Sequence, residues 1–461
     1  MDQVRVDNSR IKVNSIILGA FILFVLTKLL YWLPEDILYD GISVWVYTDW
    51  LIDYSSGFIR RGLSGEIINL FSGFVHPVVF IAIISWSIFG TVIFGYIRLI
   101  SKSLSSIKPL VLTAILFLPS LLPFYLYDHA AFGRKEVIGF LFLLWHLSTL
   151  VIDKKNSAGK LPSQKLYLKR ILPLTLIILP IQILLHEGSF LLFVPVHMII
   201  TLSIFRQDSS ITPLSGIYRL GLVYLPVLIT IMAVYIFGRP SLDTVIVLCN
   251  KWELAKVFAS GACSLDGKEV MWALPGAFAA LPWSFSQTIS LTMSFSPRTI
   301  MYWFLIILIL SIVTVYIGSE VSRSLMCKKY AGDSNNNQIL SSANIIGLKY
   351  FLLPLLFSLP IYLAWDIGRW FAVTSINYIM ITLSRELNFA ENQIKKSCHL
   401  DIDLITRIPS LEGNMRWYMI IMFIILLIIF FLRLPHCCNI TWLNILSEPL
   451  GNFIFLLLEN I

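Results

Sequence analysis

Charged residues are scarce in this sequence and make up only 13% of its 461 residues, whereas soluble domains contain about 25%. Hydrophobic residues account for 57%, and the mean hydropathy is +0.80. Water cannot be the main solvent of such a chain, which excludes an ordinary soluble domain. The sequence also has only six cysteines, and no spacing of cysteine and histidine resembles a metal site.

Two further features are missing, and both concern the organisation of the chain. No sequence repeat of about 20 to 50 residues is present, and no separate soluble domain is evident. The first apolar run, 13–33, follows a basic segment without a small-residue cleavage site, so we expect a retained membrane span. The sequence therefore predicts one integral membrane domain over 1–461, with an external loop and interfacial helix at 34–76 and a large external loop at 239–298.

Apolar runs of about 17 to 25 residues recur along the chain, which is the length that a helix needs to cross a bilayer. Lipid imposes helices because each unpaired backbone group there costs several kcal/mol. The predicted fold is therefore an all-α transmembrane helix bundle with about 11 spans. The predicted spans are 13–33, 77–98, 109–127, 137–152, 171–186, 189–205, 220–238, 299–319, 347–365, 370–384 and 417–432.

The net charge of +8 does not indicate nucleic-acid binding, because the cations lie in alternate loops. With the N-terminus in the cytoplasm, about two-thirds of the Lys and Arg residues fall in cytoplasmic segments, as the positive-inside rule requires. The apolar segment 271–295 could be another span, but Pro275, Pro282 and the charge distribution favour an interfacial or re-entrant hairpin. Cys249 and Cys263 then lie outside, where they either form a disulfide or remain unpaired.

The first cluster of ionisable residues follows the first span and contains Asp49, Asp53, Arg60 and Arg61. The two aspartates are four residues apart, so they would share one face of a helix. Adjacent arginines between glycines suit an anion, because guanidinium groups bind phosphate oxygens bidentately. The alternative is an amphipathic interfacial helix whose charges face lipid headgroups.

A second cluster lies between the third and fourth spans and includes Asp128, Arg134 and Lys135. Both cations precede the next helix, whose N-terminus itself favours anions, so the segment predicts a pyrophosphate cradle. The alternative is a set of charges at the helix ends, with an ordinary ion pair between Asp128 and Arg134.

The third cluster, His186 and Glu187, lies between two apolar runs and therefore close to the hydrocarbon boundary. Ionisable residues at such depth are costly and are usually retained for function. Partial desolvation is expected to raise the pKa of Glu187 towards the range of a general acid or base. The alternative is a simple turn between two helices.

The fourth cluster contains Asp366 and Arg369, which can pair on one helix face or serve only as a structural pair. All four clusters are predicted on the same side of the membrane, although they are far apart in sequence. A bundle can gather such helix ends around one cavity, where cations bind phosphate and a carboxylate or imidazole moves a proton.

At these residues the chain resembles the bacterial O-antigen and capsule polysaccharide polymerases, the Wzy-type proteins. The resemblance rests on the 11-span layout, the large late external loop and the segments 57–62, 133–136, 186–187 and 366–370. It implies a membrane glycosyltransferase fold of the C type, without nucleotide sugars, metal or other cofactor. The implied substrates are undecaprenyl-pyrophosphate-linked repeat units at the periplasmic face of the inner membrane.

The resemblance also implies roles for individual residues. Pyrophosphate would be held by five cations: Arg60, Arg61, Arg134, Lys135 and Arg369. The acceptor hydroxyl would be deprotonated by members of a second set: Glu187, His186, Asp53 and Asp128. Asp49 and Asp366 would support these groups. The expected partners are the lipid-linked glycan, the bilayer and a chain-length regulator, with no nucleic acid.

Three alternatives remain open from the sequence. A C-type glycosyltransferase that uses polyprenyl-monophosphate sugars would have Asp49 or Asp53 as its natural base. A flippase or transporter for the same lipid-linked glycan would need polar residues through the bilayer depth and pseudo-symmetric halves, and the sequence has few of the former and no repeat. A purely structural membrane subunit is the third.

Overall fold

A computed structural model describes residues 2–38, 43–128, 131–156, 164–205, 212–265, 273–294, 297–329 and 367–384, together with short stretches between 420 and 434. Within these residues the regular structure is helical and contains no β-strand. This is the expected result for a chain in lipid, because a helix pairs its backbone groups internally. The predicted all-α fold is confirmed.

The described residues include five helical stretches that are long and apolar enough to cross a membrane. These are Arg10–Leu33, Pro77–Ser101, Tyr167–Leu185, Leu214–Phe237 and Trp303–Ser322. Two shorter apolar stretches, Val137–Leu150 and Ser189–Phe205, accompany them. The protein is therefore a multi-pass membrane protein. The count of about 11 spans stays a prediction, since 347–365 and most of 417–432 lie outside the described residues.

The helices are numbered here in chain order. They are α1 (Asp2–Leu38), α2 (Val44–Trp50), α3 (Gly62–Phe71), α4 (Pro77–Ser101), α5 (Pro109–Phe117), α6 (Phe124–Tyr127), α7 (Val137–Asn156), α8 (Gln164–Pro173), α9 (Leu179–Leu185), α10 (Ser189–Phe205), α11 (Pro213–Phe237), α12 (Leu242–Leu254), α13 (Ala277–Ala280), α14 (Phe285–Met293), α15 (Pro297–Lys329) and α16 (Ile367–Leu383). A π-helical turn, Leu174–Ile178, joins α8 to α9.

Prolines account for one difference from the predicted spans. The predicted span 109–127 is not one helix, because α5 ends at Phe117 and α6 begins only at Phe124. Leu118 is extended, with φ −64° and ψ 131°, and it precedes Pro119. A residue before proline is disfavoured in the α region, so the helix stops where the sequence places that proline.

The structure divides into two compact units. The first comprises 1–25, 96–127 and 293–461, and the second comprises 26–95 and 128–292. In the first unit, α15 packs on α16, and the Asn14 side chain donates hydrogen bonds to the carbonyls of Leu104 and Ile107 at 2.6 and 2.8 Å. These bonds tie α1 to the turn before α5.

A buried chain of hydrogen bonds connects four membrane-embedded helices of the second unit. His146 on α7 lies 2.8 Å from both His197 on α10 and the hydroxyl of Tyr167 on α8. That hydroxyl lies 2.9 Å from Thr201, which in turn lies 3.0 Å from the hydroxyl of Tyr224 on α11. Polar side chains that bond across helices stabilise bundles in lipid, so this chain holds together the scaffold on which the third cluster is mounted.

The two predicted external loops pack against each other in the second unit. The Trp252 indole on α12 donates to the carbonyl of Leu51 at 2.8 Å, and the Ala277 amide at the start of α13 donates to Thr48 on α2 at 2.8 Å. Leu51 and Trp252 belong to a buried hydrophobic core. In the described part of 271–295, the helices α13 and α14 are too short to span a membrane.

Candidate functional site

Three of the four predicted clusters meet in the second unit around one arginine. The guanidinium of Arg61 donates from Nε and Nη2 to the two carboxylate oxygens of Glu187, each at 2.7 Å. Its Nη1 donates to Oδ1 of Asp49 at 3.0 Å. We call Asp49, Arg60, Arg61, Lys135 and Glu187 the Arg61 cluster.

The backbone around Arg61 is set by a tight turn before α3. Arg61 is the N-cap of this helix and has φ +69°, a left-handed conformation that costs a non-glycine residue roughly 1–2 kcal/mol. Gly62 follows, and a Cβ at that position would overlap the ring of Tyr54. The turn therefore needs the glycine beside the arginine, and local strain persists there because the surrounding structure holds it.

Asp49 and Lys135 form the buried floor of the cluster. Their side chains are 1% and 0% exposed, and Nζ of Lys135 lies 3.5 Å from Oδ2 of Asp49. The ammonium also donates to the Asp49 carbonyl at 2.8 Å and to the Ser64 hydroxyl at 3.1 Å. Burial alone would raise the pKa of Asp49, but Lys135 and Arg61 hold it well below its usual range. Burial lowers the pKa of Lys135 to about 8, although Asp49 favours the charged form.

Glu187 and the two arginines form a rim that solvent can reach. Glu187 lies in the turn between α9 and α10, and its side chain is 20% exposed, beside 25% for Arg60 and 23% for Arg61. The prediction that desolvation would raise the pKa of Glu187 was wrong. Burial does act in that direction, but Arg61 and Arg60 outweigh it and hold the pKa well below the ordinary value.

Arg60 is fixed by backbone carbonyls from the large external loop. Its Nη2 donates to the carbonyls of Ala280 and Leu281 at 3.0 and 2.9 Å, and its amide donates to the Gly238 carbonyl at 2.7 Å. Nη1 lies 3.6 Å from Glu187 Oε1. Burial and neighbouring cations, including Arg239, lower the pKa of Arg60, while Glu187 opposes them. The rim is therefore rich in positive charge.

The expectation that Asp49 and Asp53 share a helix face was wrong. Helix α2 ends at Trp50, so Asp53 lies beyond it and has different partners. It accepts hydrogen bonds from Ser55, from Asn69 at 3.1 Å and from the ammonium of Lys251. Its side chain is fully buried, and this pairing lowers its pKa despite the burial.

The remaining predicted residues are placed as follows. Arg134 and His186 are buried and lie close enough to favour the charged form of Asp49. Asp128 accepts a bond from the Ala131 amide at 3.3 Å in the turn before α7. Arg369 belongs to the other unit, where its guanidinium lies 4.2 Å from the ring centre of Trp370. Asp366 lies outside the described residues.

Of the two alternatives for Cys249 and Cys263, the structure has the disulfide, with the Cα atoms 5.7 Å apart. The bond ties α12 to the following turn, whose Gly261 and Cys263 amides donate to the Glu253 carboxylate. Helix α12 also carries Lys251, the partner of Asp53. Lys251 was not among the predicted site residues, because only its charge distinguishes it in the sequence.

The lowered pKa values predict how stability depends on pH. Unfolded Asp and Glu have pKa values near 3.8 and 4.5, and those of Asp49 and Glu187 are lower in the folded protein. Their contribution is therefore fully present above these unfolded values and is lost as the pH falls below them. We expect the thermal midpoint of the wild-type protein in detergent to fall more steeply from pH 5 to pH 3 than that of the Glu187→Gln variant. Equal slopes would contradict this account.

Comparisons with known proteins give one match. No curated protein and no solved structure matches the chain. The model of the family described as "Uncharacterised membrane protein Rv1490" matches residues 16–266, which is more than half of the chain and includes the whole Arg61 cluster. The chain therefore belongs to this family of membrane proteins.

Proposed function

We propose that this protein polymerises undecaprenyl-pyrophosphate-linked oligosaccharide repeat units at the periplasmic face of the inner membrane, as in O-antigen or capsule synthesis. The observation that carries the proposal is the Arg61 cluster. Segments distant in the sequence bring Arg60, Arg61 and Lys135 together with Glu187 and Asp49. Arginine forks match phosphate oxygens, and the rim of the cluster is open to solvent.

The chemistry assigned to the cluster is a glycosyl transfer. A hydroxyl of the acceptor glycan attacks the anomeric carbon of the donor, a new glycosidic bond forms, and the carbon–oxygen bond to pyrophosphate breaks. Undecaprenyl pyrophosphate leaves with the electron pair. Arg60 and Arg61 would stabilise the leaving group, because fixed cations placed where negative charge develops lower the barrier. Lys135 and Arg134 would add to the field from the buried side.

Glu187 is the base that best suits this proposal. Of the carboxylates in the cluster, Glu187 has an exposed fraction of 20%, whereas that of Asp49 is 1%. It also lies on a short turn between two helices, beside the arginines that would hold the donor. A base must come within hydrogen-bond reach of the hydroxyl that it deprotonates, and Asp49 would first have to leave a buried pair.

Burial weighs against a glycosyltransferase that uses polyprenyl-monophosphate sugars with Asp49 or Asp53 as its base. Both side chains are buried and paired with an ammonium group, Asp49 with Lys135 and Asp53 with Lys251, so neither can reach an acceptor hydroxyl without leaving its pair. We therefore assign them a positioning role. Asp49 orients Arg61, and Asp53 fixes α12 to the loop before α3.

The proposed location is supported by the disulfide. Cys249 and Cys263 are bonded in the predicted external loop, and disulfides persist in oxidising compartments such as the periplasm. The positive-inside distribution of Lys and Arg independently favours the same orientation.

This orientation can be tested by cysteine labelling. A cysteine introduced at the exposed Ser260 is expected to react with a membrane-impermeant maleimide in cells whose inner membrane is intact. A cysteine at the exposed Lys102, in a predicted cytoplasmic loop, should react only after that membrane is permeabilised. The wild-type chain measures the background from its own thiols. The reverse pattern would place the Arg61 cluster on the cytoplasmic side.

The function is tested by the length of surface polysaccharide in the producing bacterium. Arg61→Lys keeps the charge but loses the bidentate fork, so cells with this variant should carry single repeat units in place of long chains. Arg98→Lys makes the same exchange at an exposed arginine in the last turn of α4 and should leave chain length unchanged. Normal chains in the Arg61→Lys strain, at a normal protein level, would refute the assignment.

A further inference from the structure

Each of the three guanidinium nitrogens of Arg61 donates a hydrogen bond to one of two carboxylates. Nε and Nη2 bind both oxygens of Glu187, while Nη1 binds Asp49. This two-point contact is the geometry in which arginine would bind a phosphate. A pyrophosphate could not use that face of Arg61 while Glu187 remains on it.

The two carboxylates differ in how firmly they are held. Asp49 is 1% exposed, lies on α2 and has Lys135 as a second cation. Glu187 is 20% exposed and lies in a turn between α9 and α10, with Gly188 directly after it. Moving Asp49 would leave a buried Lys135 without its partner, which is costly. Glu187 can leave into water and keep its charge solvated.

The arginines are also arranged to receive a larger anion than one carboxylate. Arg60 lies near Glu187 but makes only a long contact of 3.6 Å with it. The buried Nε of Arg60 has no hydrogen-bond acceptor among the described residues. A pyrophosphate carries more charge and more acceptor oxygens than Glu187, so it can bind the fork of Arg61 and reach Arg60 at the same time.

From this geometry we infer that Glu187 is a displaceable occupant of the anion site: substrate pyrophosphate replaces it on Arg61, and the released carboxylate becomes the base. This inference rests on the proposed function and adds a sequence of events to it. While Glu187 is bound to arginine it is a weak base, because the same cations hold its pKa low. Glu187 would therefore become an effective base only after a donor has bound. The proton of the acceptor hydroxyl then passes to the freed carboxylate.

Competition predicts that removing the charge of Glu187 strengthens anion binding. The probe is inorganic pyrophosphate, titrated calorimetrically into the purified full-length chain in a neutral detergent. Glu187→Gln is expected to bind it about tenfold more tightly than the wild type, since glutamine has no charge to compete for Arg61; tenfold corresponds to about 1.4 kcal/mol. Glu187→Asp, which keeps the charge on a shorter side chain, should lie between the two.

A purely structural ion pair predicts the opposite direction. If Glu187 only holds Arg61 in place, both substitutions weaken pyrophosphate binding or leave it unchanged, and that result overturns the inference. If the elution profile shows that Glu187→Gln does not fold, the pyrophosphate affinity of Glu187→Asp alone decides between competition and a structural ion pair. Glu66→Gln is the matched control. Glu66 lies on α3, accepts the Tyr54 amide at 2.7 Å and is not part of the Arg61 cluster, so its replacement should not change pyrophosphate affinity.

Two further outcomes separate this inference from the proposed function. If neither the wild-type protein nor its variants bind pyrophosphate, the anion site and the proposed function both fail. If Glu187→Gln binds pyrophosphate more tightly but Arg61→Lys cells make normal long chains, the exchange on Arg61 stands and the polymerase assignment fails. Phosphatidylglycerol added in mixed micelles should not compete, and competition would identify the occupant as a lipid headgroup instead.

Discussion

Replacing Asp49 by alanine is expected to destabilise the second unit by about 3–5 kcal/mol, because the change leaves a buried cation without its partner. Lys135 is 0% exposed and loses its carboxylate, and Arg61 loses the contact at 3.0 Å that orients its guanidinium. The measurement is the free energy of unfolding in mixed micelles titrated with a denaturing detergent. A loss below about 1 kcal/mol would mean that the pair is not buried as described.

A double variant separates the effect of the missing carboxylate from that of the stranded cation. Asp49→Ala combined with Lys135→Met removes both charges and fills the space of the lysine with an apolar chain. Replacing a buried pair by apolar groups is often close to neutral, so the double variant should recover most of the lost stability. Equal losses in the single and double variants would show that Lys135 is not the stranded partner of Asp49.

Replacing Glu187 by glutamine is expected to reduce polymer formation by about 100-fold or more, since general-base catalysis contributes about 10²–10⁴-fold. The glutamine has nearly the same shape but cannot accept a proton. The measurement is the rate at which purified protein extends lipid-linked repeat units. Stability should change little by comparison, because Glu187 is partly exposed and its pair with Arg61 is therefore weaker than a buried one.

The Glu187→Asp variant provides the matched comparison for this loss. It keeps a carboxylate with a shorter reach, so it should retain measurable activity that rises with pH more clearly than that of the glutamine variant. Glu66→Gln, on the helix whose N-cap is Arg61, should keep normal activity. If Glu187→Gln polymerises at the wild-type rate, the base is another group.

Composition predicted the fold because a chain with so little charge lies in lipid, where backbone groups must pair with one another and helices satisfy this requirement. The apolar run at 77–98 lies within α4, and the run at 220–238 lies within α11 except for its last residue. The prediction of one helix over 109–127 was wrong, because hydropathy does not account for the effect of Pro119 on the backbone conformation of the residue before it. Apolar content thus identifies a membrane segment, while local backbone sterics decide whether it forms one helix.

The residues of the site could be predicted from the sequence, but their contacts could not. Adjacent cations beside glycines and an acidic residue at the membrane boundary stand out in an apolar sequence, and Arg61, Lys135 and Glu187 do meet. Their pairing was not predictable, because helical spacing says nothing about contacts between distant segments. The pKa of Glu187 was therefore given the wrong direction: its depth in the membrane suggested desolvation, whereas the structure adds two arginines.

We propose that the Arg61 cluster transfers glycans from a pyrophosphate carrier, and a reaction with purified protein decides whether it does. Purified wild-type protein is incubated with polyprenyl-pyrophosphate-linked repeat units, and both product length and free polyprenyl pyrophosphate are measured. We expect a ladder of longer glycans, one carrier released per bond formed, and loss of both signals in Arg61→Lys. An unchanged substrate, or a ladder that persists in Arg61→Lys, would contradict the proposal.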